Sequence, residues 1–296
     1  MPTTPPSPDG VAIWYTTDGD PSGVPVLMIM GLGTQYLGWD DDLVARFVDH
    51  GCFVIRHDNR DVGLSSKPVP EGVPVLERLM ASFAGQPVEA PYLLSDMAAD
   101  SVRVLDALGV EQAHVIGASM GGMIAQTVAI EHPDRVLSLT SIMSTTGAAA
   151  VGQPKPEVMG VLMTPPATTR EEALVRGVET SRAIGSPGLV DEEKARRRAG
   201  AAWDRDDDPS GVGHQLLAIV ASPDRTEALG GVAVPTLVVH GDVDPLVTLS
   251  GGEATAAAVP GARLVVLPGV GHDIPEVHWD RVVGEVCDLM GIGASA

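Results

Sequence analysis

Basic residues are scarce in this chain. Nineteen lysines and arginines stand against 39 aspartates and glutamates, a formal charge of −20. Such a surface repels phosphate backbones and anionic lipid, which argues against nucleic acid and membranes as partners. Cysteine is scarcer still. Cys52 and Cys287 lack the spacing of a disulfide framework or a zinc site, and both read as small buried hydrophobes. Aromatics make up only 3% of residues while there are 11 methionines, so an apolar pocket must be lined by aliphatic and thioether groups. No stretch of about 18 residues escapes a charge or a helix breaker, and no membrane span is expected. The opening "MPTTPPSPDGVAIW" has neither a basic nor an apolar leader-like region, so no signal peptide is expected and a cytoplasmic location follows by default.

What is present is an ordinary globular balance, 44% hydrophobic and 20% charged over 296 residues. That length suits one domain with an insertion better than two equal domains. Short apolar runs bounded by Gly, Pro or Asp recur at 11–16, 24–31, 52–58, 113–117, 136–143, 235–241 and 262–269. Several are rich in Val, Ile and Leu throughout, as strands covered on both faces of a parallel sheet must be. Helical spacing fills the gaps at 40–50, 95–108 and 276–290, with Ser95 as the expected N-cap and Gly109 as the stop of the second. The alternation predicts a doubly wound α/β sheet. Between about 148 and 222 the pattern is helical alone, with Thr169 and Glu172 spaced as a capping box. We therefore expect a core of 1–147 and 223–296 and a helical cap of 148–222. Residues 65–91 carry five prolines and read as a long, partly helical loop near the same mouth. "DRDDDP" (204–209) lacks the glycine and distal glutamate of a calcium loop and reads as a solvated helix end.

One junction carries chemistry. "AHVI" reads as a strand and "MGGMIAQTVAIEH" as a helix, with Gly117-Ala118-Ser119-Met120-Gly121 between them. This is G-x-S-x-G in its strand–turn–helix setting, which holds a serine on a strained turn at a helix N-terminus. Ser119 is the candidate nucleophile. A serine needs a base oriented by an acid, and in this setting the chain order is Ser, acid, His. Of eight histidines, His272 lies on a Gly-rich loop just past the last strand, "LVVLPGVGHDIPE". Asp242 and Asp244 in "VVHGDVDPLV" compete as the acid; Asp244 is favoured, because Asp242 directly follows Gly241 and suits a turn cap. The strand ending "TSIMSTTG" carries no carboxylate that could serve instead. Oxyanion donors are expected from the backbone N–H of Met120 and, in "MGLGTQ", of Leu32. Met143, Met163 and Trp203 are candidates for the substrate pocket.

With "MGLG", "RHDNRDVGLSS", "GASMGG", "HGDVDPL" and "GVGHDIP" in place, the chain resembles the α/β-hydrolases from about residue 10 to 290. Within them it most resembles the carboxylesterase group around aclacinomycin methylesterase. The resemblance implies a mostly parallel eight-stranded sheet with a cap, Ser119, Asp244 and His272 as triad, and Leu32 and Met120 as oxyanion donors. Two positions depart from the wider superfamily: Met30 where a His is usual, and Asp61 where a Gly is usual. The implied activity is hydrolysis of a small or medium apolar ester, methyl esters included, through an acyl-enzyme. A C–C bond hydrolase or a cofactor-free perhydrolase could use the same triad, and a non-catalytic binding protein is a further alternative. None of these needs a cofactor or a metal.

Overall fold

The computed structural model describes residues 2–70 and 72–292, apart from the side chains of Phe83, Leu162 and Met163. Seven strands are present among the described residues: β1 (Tyr15–Asp18), β2 (Val24–Ile29), β3 (Cys52–His57), β4 (Ala113–Ala118), β5 (Val136–Ile142), β6 (Thr236–Gly241) and β7 (Arg263–Leu267). They form one sheet in the order β1-β3-β2-β4-β5-β6-β7. Only the β1–β3 pairing is antiparallel.

The helices are α1 (Asp41–Asp49), α2 (Val75–Phe83), α3 (Leu94–Leu108), α4 (Met120–Glu131), α5 (Met159–Met163), α6 (Arg170–Ile184), α7 (Glu192–Arg205), α8 (Ser210–Ala221), α9 (Thr226–Leu229), α10 (Leu249–Ala258) and α11 (Trp279–Met290). Strand pleating sorts the core. Along β2, Leu27 and Ile29 pack with α3 and α4, while Val26 and Met28 pack with α1 and α11 on the other face. In β4, Val115 joins the first cluster, Ile116 and Ala118 the second. This period-two split between two apolar layers is why the central strands read as continuous hydrophobic runs.

The eight-stranded expectation needs correction to seven. At the N-terminal edge only an isolated antiparallel bridge, Thr3 to Trp14, lies beside β1. Prolines at positions 2, 5, 6 and 8 have no N–H to give to a ladder. Side-chain hydroxyls serve the neighbouring backbone instead: Ala12, Ile13 and Trp14 donate to Ser66, Thr4 and Ser65 at 2.9, 3.0 and 2.9 Å. The expected cap of α3 also moves. Leu93 is its N-cap, with the Asp96 carboxylate accepting the Leu93 N–H at 2.7 Å, while Ser95 turns to Glu131.

Among the described residues, all those between β5 and α9 that take regular structure are helical, in a short 3-10 turn at Pro156–Val158 and in α5 to α8. Thr169 caps α6 and Asp191 caps α7, each accepting an N–H of the first turn. The two ends of this insertion are tied together. The Arg225 N–H donates to the Thr146 carbonyl at 2.9 Å, and its guanidinium to the Thr145 carbonyl at 3.0 Å.

Candidate active site

The loops leaving β2, β4, β6 and β7 emerge at the carboxyl edge of the sheet, where α/β folds gather their functional groups. Ser119 joins β4 to α4 with φ 57° and ψ −121°, a conformation that a side chain rarely tolerates. The turn is bonded on both sides. Ser119 N–H donates to Ile142 at 2.9 Å, and the Ser119 carbonyl accepts from Gly122, Met123 and the Ser144 hydroxyl. The flanking glycines are required by space. A Cβ at Gly117 would lie 2.0 Å from the Gly121 carbonyl oxygen, and one at Gly121 would lie 2.1 Å from that of Ile29. Strand, turn and helix interlock too closely for any side chain at either place.

The structure brings Ser119, His272 and Asp244 together. Ser119 Oγ lies 3.0 Å from His272 Nε2, and His272 Nδ1 lies 2.7 Å from Asp244 Oδ2. The second Asp244 oxygen accepts the N–H groups of Leu246 and Val247 at 2.8 and 3.0 Å, which fixes the carboxylate in its plane. A carboxylate accepts only, so Nδ1 carries the proton and Nε2 presents a lone pair to the serine hydroxyl. Asp242 turns away and accepts the Gly269 N–H. Behind the acid, buried His240 donates from Nε2 to the Val247 carbonyl at 2.7 Å and closes the loop that carries Asp244. Burial lowers the pKa of His240 and keeps it neutral. The His272 loop is held from the helical insertion: His272 N–H donates to Ile184, and Gly271 N–H to Ser186 Oγ at 2.9 Å.

Beside Ser119, the loop 30–35 packs so closely that a Gly31 Cβ would stand 3.1 Å from the Ser119 Cβ. The N–H groups of Leu32 and Met120 find no acceptor among the described residues. A base-activated hydroxyl beside two free amides is an arrangement that can add to a carbonyl and hold the oxyanion so formed.

The model of the alpha/beta hydrolase fold family matches residues 24–278. The chain belongs to the α/β-hydrolase family. This hydrolase is 31% identical to rhodomycin D methylesterase DnrP of Streptomyces peucetius, over 97% of each chain. It is equally similar to rhodomycin D methylesterase DauP of Streptomyces sp. strain C5, at 31% over 97% of each. Among solved structures, a hydrolase from Pseudomonas aeruginosa superposes with a TM-score of 0.69 at 25% identity, covering 97% of both chains.

Of the two departures of this hydrolase from its superfamily, Asp61 has a partner for its side chain. Asp61 adopts φ 67°, in the region where glycine is at ease. Its carboxylate accepts from His214 Nδ1 on α8 at 3.1 Å. Burial raises the pKa of Asp61 against the pull of that histidine. Met30, at the other departure, gives its carbonyl to Asn59 Nδ2 at 2.8 Å. Sequence reasoning missed His214 as a partner of Asp61, because 153 residues separate them. It also missed Asp58, fully buried, which accepts from the Tyr36 N–H and from Arg205 of α7. Gln215 of α8 gave no signal either, although it bonds the Gly33 N–H. Of the pocket candidates, Met143 is buried among residues of the α1 and α11 face, and Trp203 is half-buried on α7. The Met163 side chain lies outside the described residues.

Proposed function

We propose that this hydrolase cleaves carboxylic esters through an acyl-enzyme, with Ser119 as nucleophile, His272 as general base and acid, and Asp244 as the group that orients and stabilises the imidazolium. The single observation that carries the reading is the unbroken hydrogen-bonded line from Asp244 through His272 to Ser119, at 2.7 and 3.0 Å.

The chemistry follows from that line. His272 Nε2 takes the hydroxyl proton as Ser119 Oγ adds to the ester carbonyl. Charge accumulates on the carbonyl oxygen, where the Leu32 and Met120 amides receive it. The tetrahedral adduct collapses, the alkoxide leaves with the proton from His272, and the acyl group remains on Ser119. Water then enters, gives a proton to His272 and attacks the acyl carbon. A second collapse releases the acid and restores the hydroxyl. Each step moves one proton along one imidazole, so no cofactor or metal takes part.

The substrate class is a small or medium apolar ester, methyl esters included, which the likeness to two methylesterases supports. Met143, Met163 and Trp203 belong to the same proposal as lining of the acyl pocket. So do residues 148–222 as a cap over the mouth, supported by the contacts that α7 and α8 make with the loops after β2 and β3. A cytoplasmic setting is consistent with two free, buried thiols.

The test is a panel of aryl and methyl esters of graded acyl size, assayed with wild type and Ser119→Ala. We expect wild type to hydrolyse the shorter apolar esters and the variant to lose at least about 10³-fold in kcat. Equal activity in both proteins would remove Ser119 from the mechanism.

A further inference from the structure

We propose that Gln215, on α8 of the helical insertion, is a positioning residue that aims the Leu32 amide at the oxyanion. The inference rests on the esterase reading above and adds to it a residue that touches no substrate atom.

Gln215 is fully buried, and its amide bridges two loops of the sheet edge. Oε1 accepts the Gly33 N–H at 2.7 Å, and Nε2 donates to the Arg60 carbonyl at 2.8 Å. Its orientation is forced. A backbone N–H can only give and a carbonyl can only take, so the oxygen and nitrogen cannot be exchanged.

What this bridge controls follows from peptide planarity. The Leu32 N–H shares one rigid plane with the Gly31 carbonyl, and the Gly33 N–H belongs to the next plane. The first plane is anchored where Thr34 N–H donates to the Gly31 carbonyl at 3.2 Å. The second is anchored at its N–H by Gln215, and at the Leu32 carbonyl by the Thr34 hydroxyl, which donates at 3.1 Å. Between the planes only the Leu32 dihedrals are free, and holding both neighbours fixes them. The site needs such bracing. Gly33 has φ 62°, and two glycines, Gly31 and Gly33, on either side of Leu32 offer the loop many alternative conformations. Asn59 holds the preceding Met30 carbonyl, so the loop is bonded at three successive planes, and the last of these bonds comes from the insertion. Val212 of α8 packs on Gly33 as well, where its Cγ2 would lie 2.9 Å from an added Cβ.

An amide of correct direction is worth a large factor. Deleting one oxyanion donor costs about 10²–10³ in kcat, so misdirecting the Leu32 amide should cost roughly tenfold to a hundredfold. Because the contact is made to the developing anion, the loss belongs in kcat and not in KM.

The experiment compares full-length wild type, Gln215→Met, Gln215→Glu and Ser119→Ala on an aryl ester. Active sites are counted by titration, and the affinity of an alkyl trifluoromethyl ketone, which adds to the serine hydroxyl, is measured alongside. For Gln215→Met we expect kcat per site to fall roughly tenfold to a hundredfold, KM to move by less than about threefold, and the ketone to weaken in parallel with kcat. A merely structural role would lower the melting temperature and the number of active sites while leaving kcat per site intact, and that result would overturn the proposal. Gln215→Glu supplies a readout independent of how the Met variant folds. Its protonated carboxyl reproduces both bonds and its carboxylate cannot donate to Arg60. Its kcat relative to wild type therefore rises as pH falls; a flat ratio also overturns the proposal. Activity surviving in Ser119→Ala would instead overturn the esterase reading itself, so the two failures are separable.

Discussion

Replacing Gly121 by alanine adds one methyl group at one of the tightest places in the molecule's working edge. The new Cβ would lie 2.1 Å from the Ile29 carbonyl oxygen, 2.6 Å from its carbon and 2.8 Å from the Met30 oxygen, all of them backbone. No rotamer can relieve a clash with main chain. Moving the first contact from 2.1 Å to the 3.4 Å of ordinary van der Waals contact requires about 1.3 Å of backbone displacement. Either α4 retreats and takes Ser119 with it, or the end of β2 retreats and takes Leu32. In both cases the hydroxyl and the oxyanion amide separate, and a misplacement of about 1 Å costs on the order of 10²-fold in rate. Stability should suffer less. Overpacking costs about 1–3 kcal/mol, and the gain in helix propensity returns about 1 kcal/mol of it. The control is Gly284→Ala on α11, where an added Cβ meets nothing within 4 Å. It should raise stability by up to about 1 kcal/mol and leave kcat unchanged. Urea unfolding and steady-state hydrolysis of an aryl ester read both variants. Wild-type kcat in Gly121→Ala would refute the reasoning, since it would mean that the elbow and the oxyanion loop are not mechanically joined.

Asp244→Asn should lower kcat by roughly 10⁴-fold through the wrong imidazole tautomer, whereas Asp242→Ala, which loses only a bond to Gly269, should change kcat by less than about threefold. Steady-state kinetics of the pair decide between the two carboxylates. Acid stability should follow the buried histidines. Burial pushes His57 down to about 4 from its ordinary 6.5, so the folded protein holds it neutral while the unfolded chain takes up a proton. Its contribution is fully present above pH 6.5 and is lost as pH falls toward 4, by up to about 3 kcal/mol. His114 and His240, both lowered by burial, act in the same direction. Urea midpoints that do not fall between pH 7 and pH 5 would contradict this.

The features legible in the sequence are those whose cause is local. Strands showed because both faces of β2, β4 and β6 are covered, and the Ser119 turn showed because its motif residues, Gly117, Ser119 and Gly121, lie within five consecutive positions. His272 and Asp244 were legible from their places after the last two strands. What could not be read are pairings between loops and the helical insertion: Asp61 with His214, Asp58 with Arg205, Gln215 with Gly33. Each joins residues well over a hundred positions apart, and nothing in the composition around either partner betrays the other. The first strand was misplaced for a related reason. Its apolar residues Val11 and Ile13 are indeed buried, but their N–H groups donate to the hydroxyls of Ser7 and Thr4 instead of to a neighbouring strand.

The clasp between Arg225 and Thr145–Thr146 has a consequence for how this protein can vary. Because entry and exit of the helical excursion are buttoned to each other, the spacing of β5 and β6 does not depend on how much chain is looped out between them. Helices can lengthen, shorten or be exchanged wholesale beyond that button while the sheet stays in register. A graft at that single stem must still bring its own groups to brace Gly33 and to hold the His272 loop, as Gln215, Ile184 and Ser186 do.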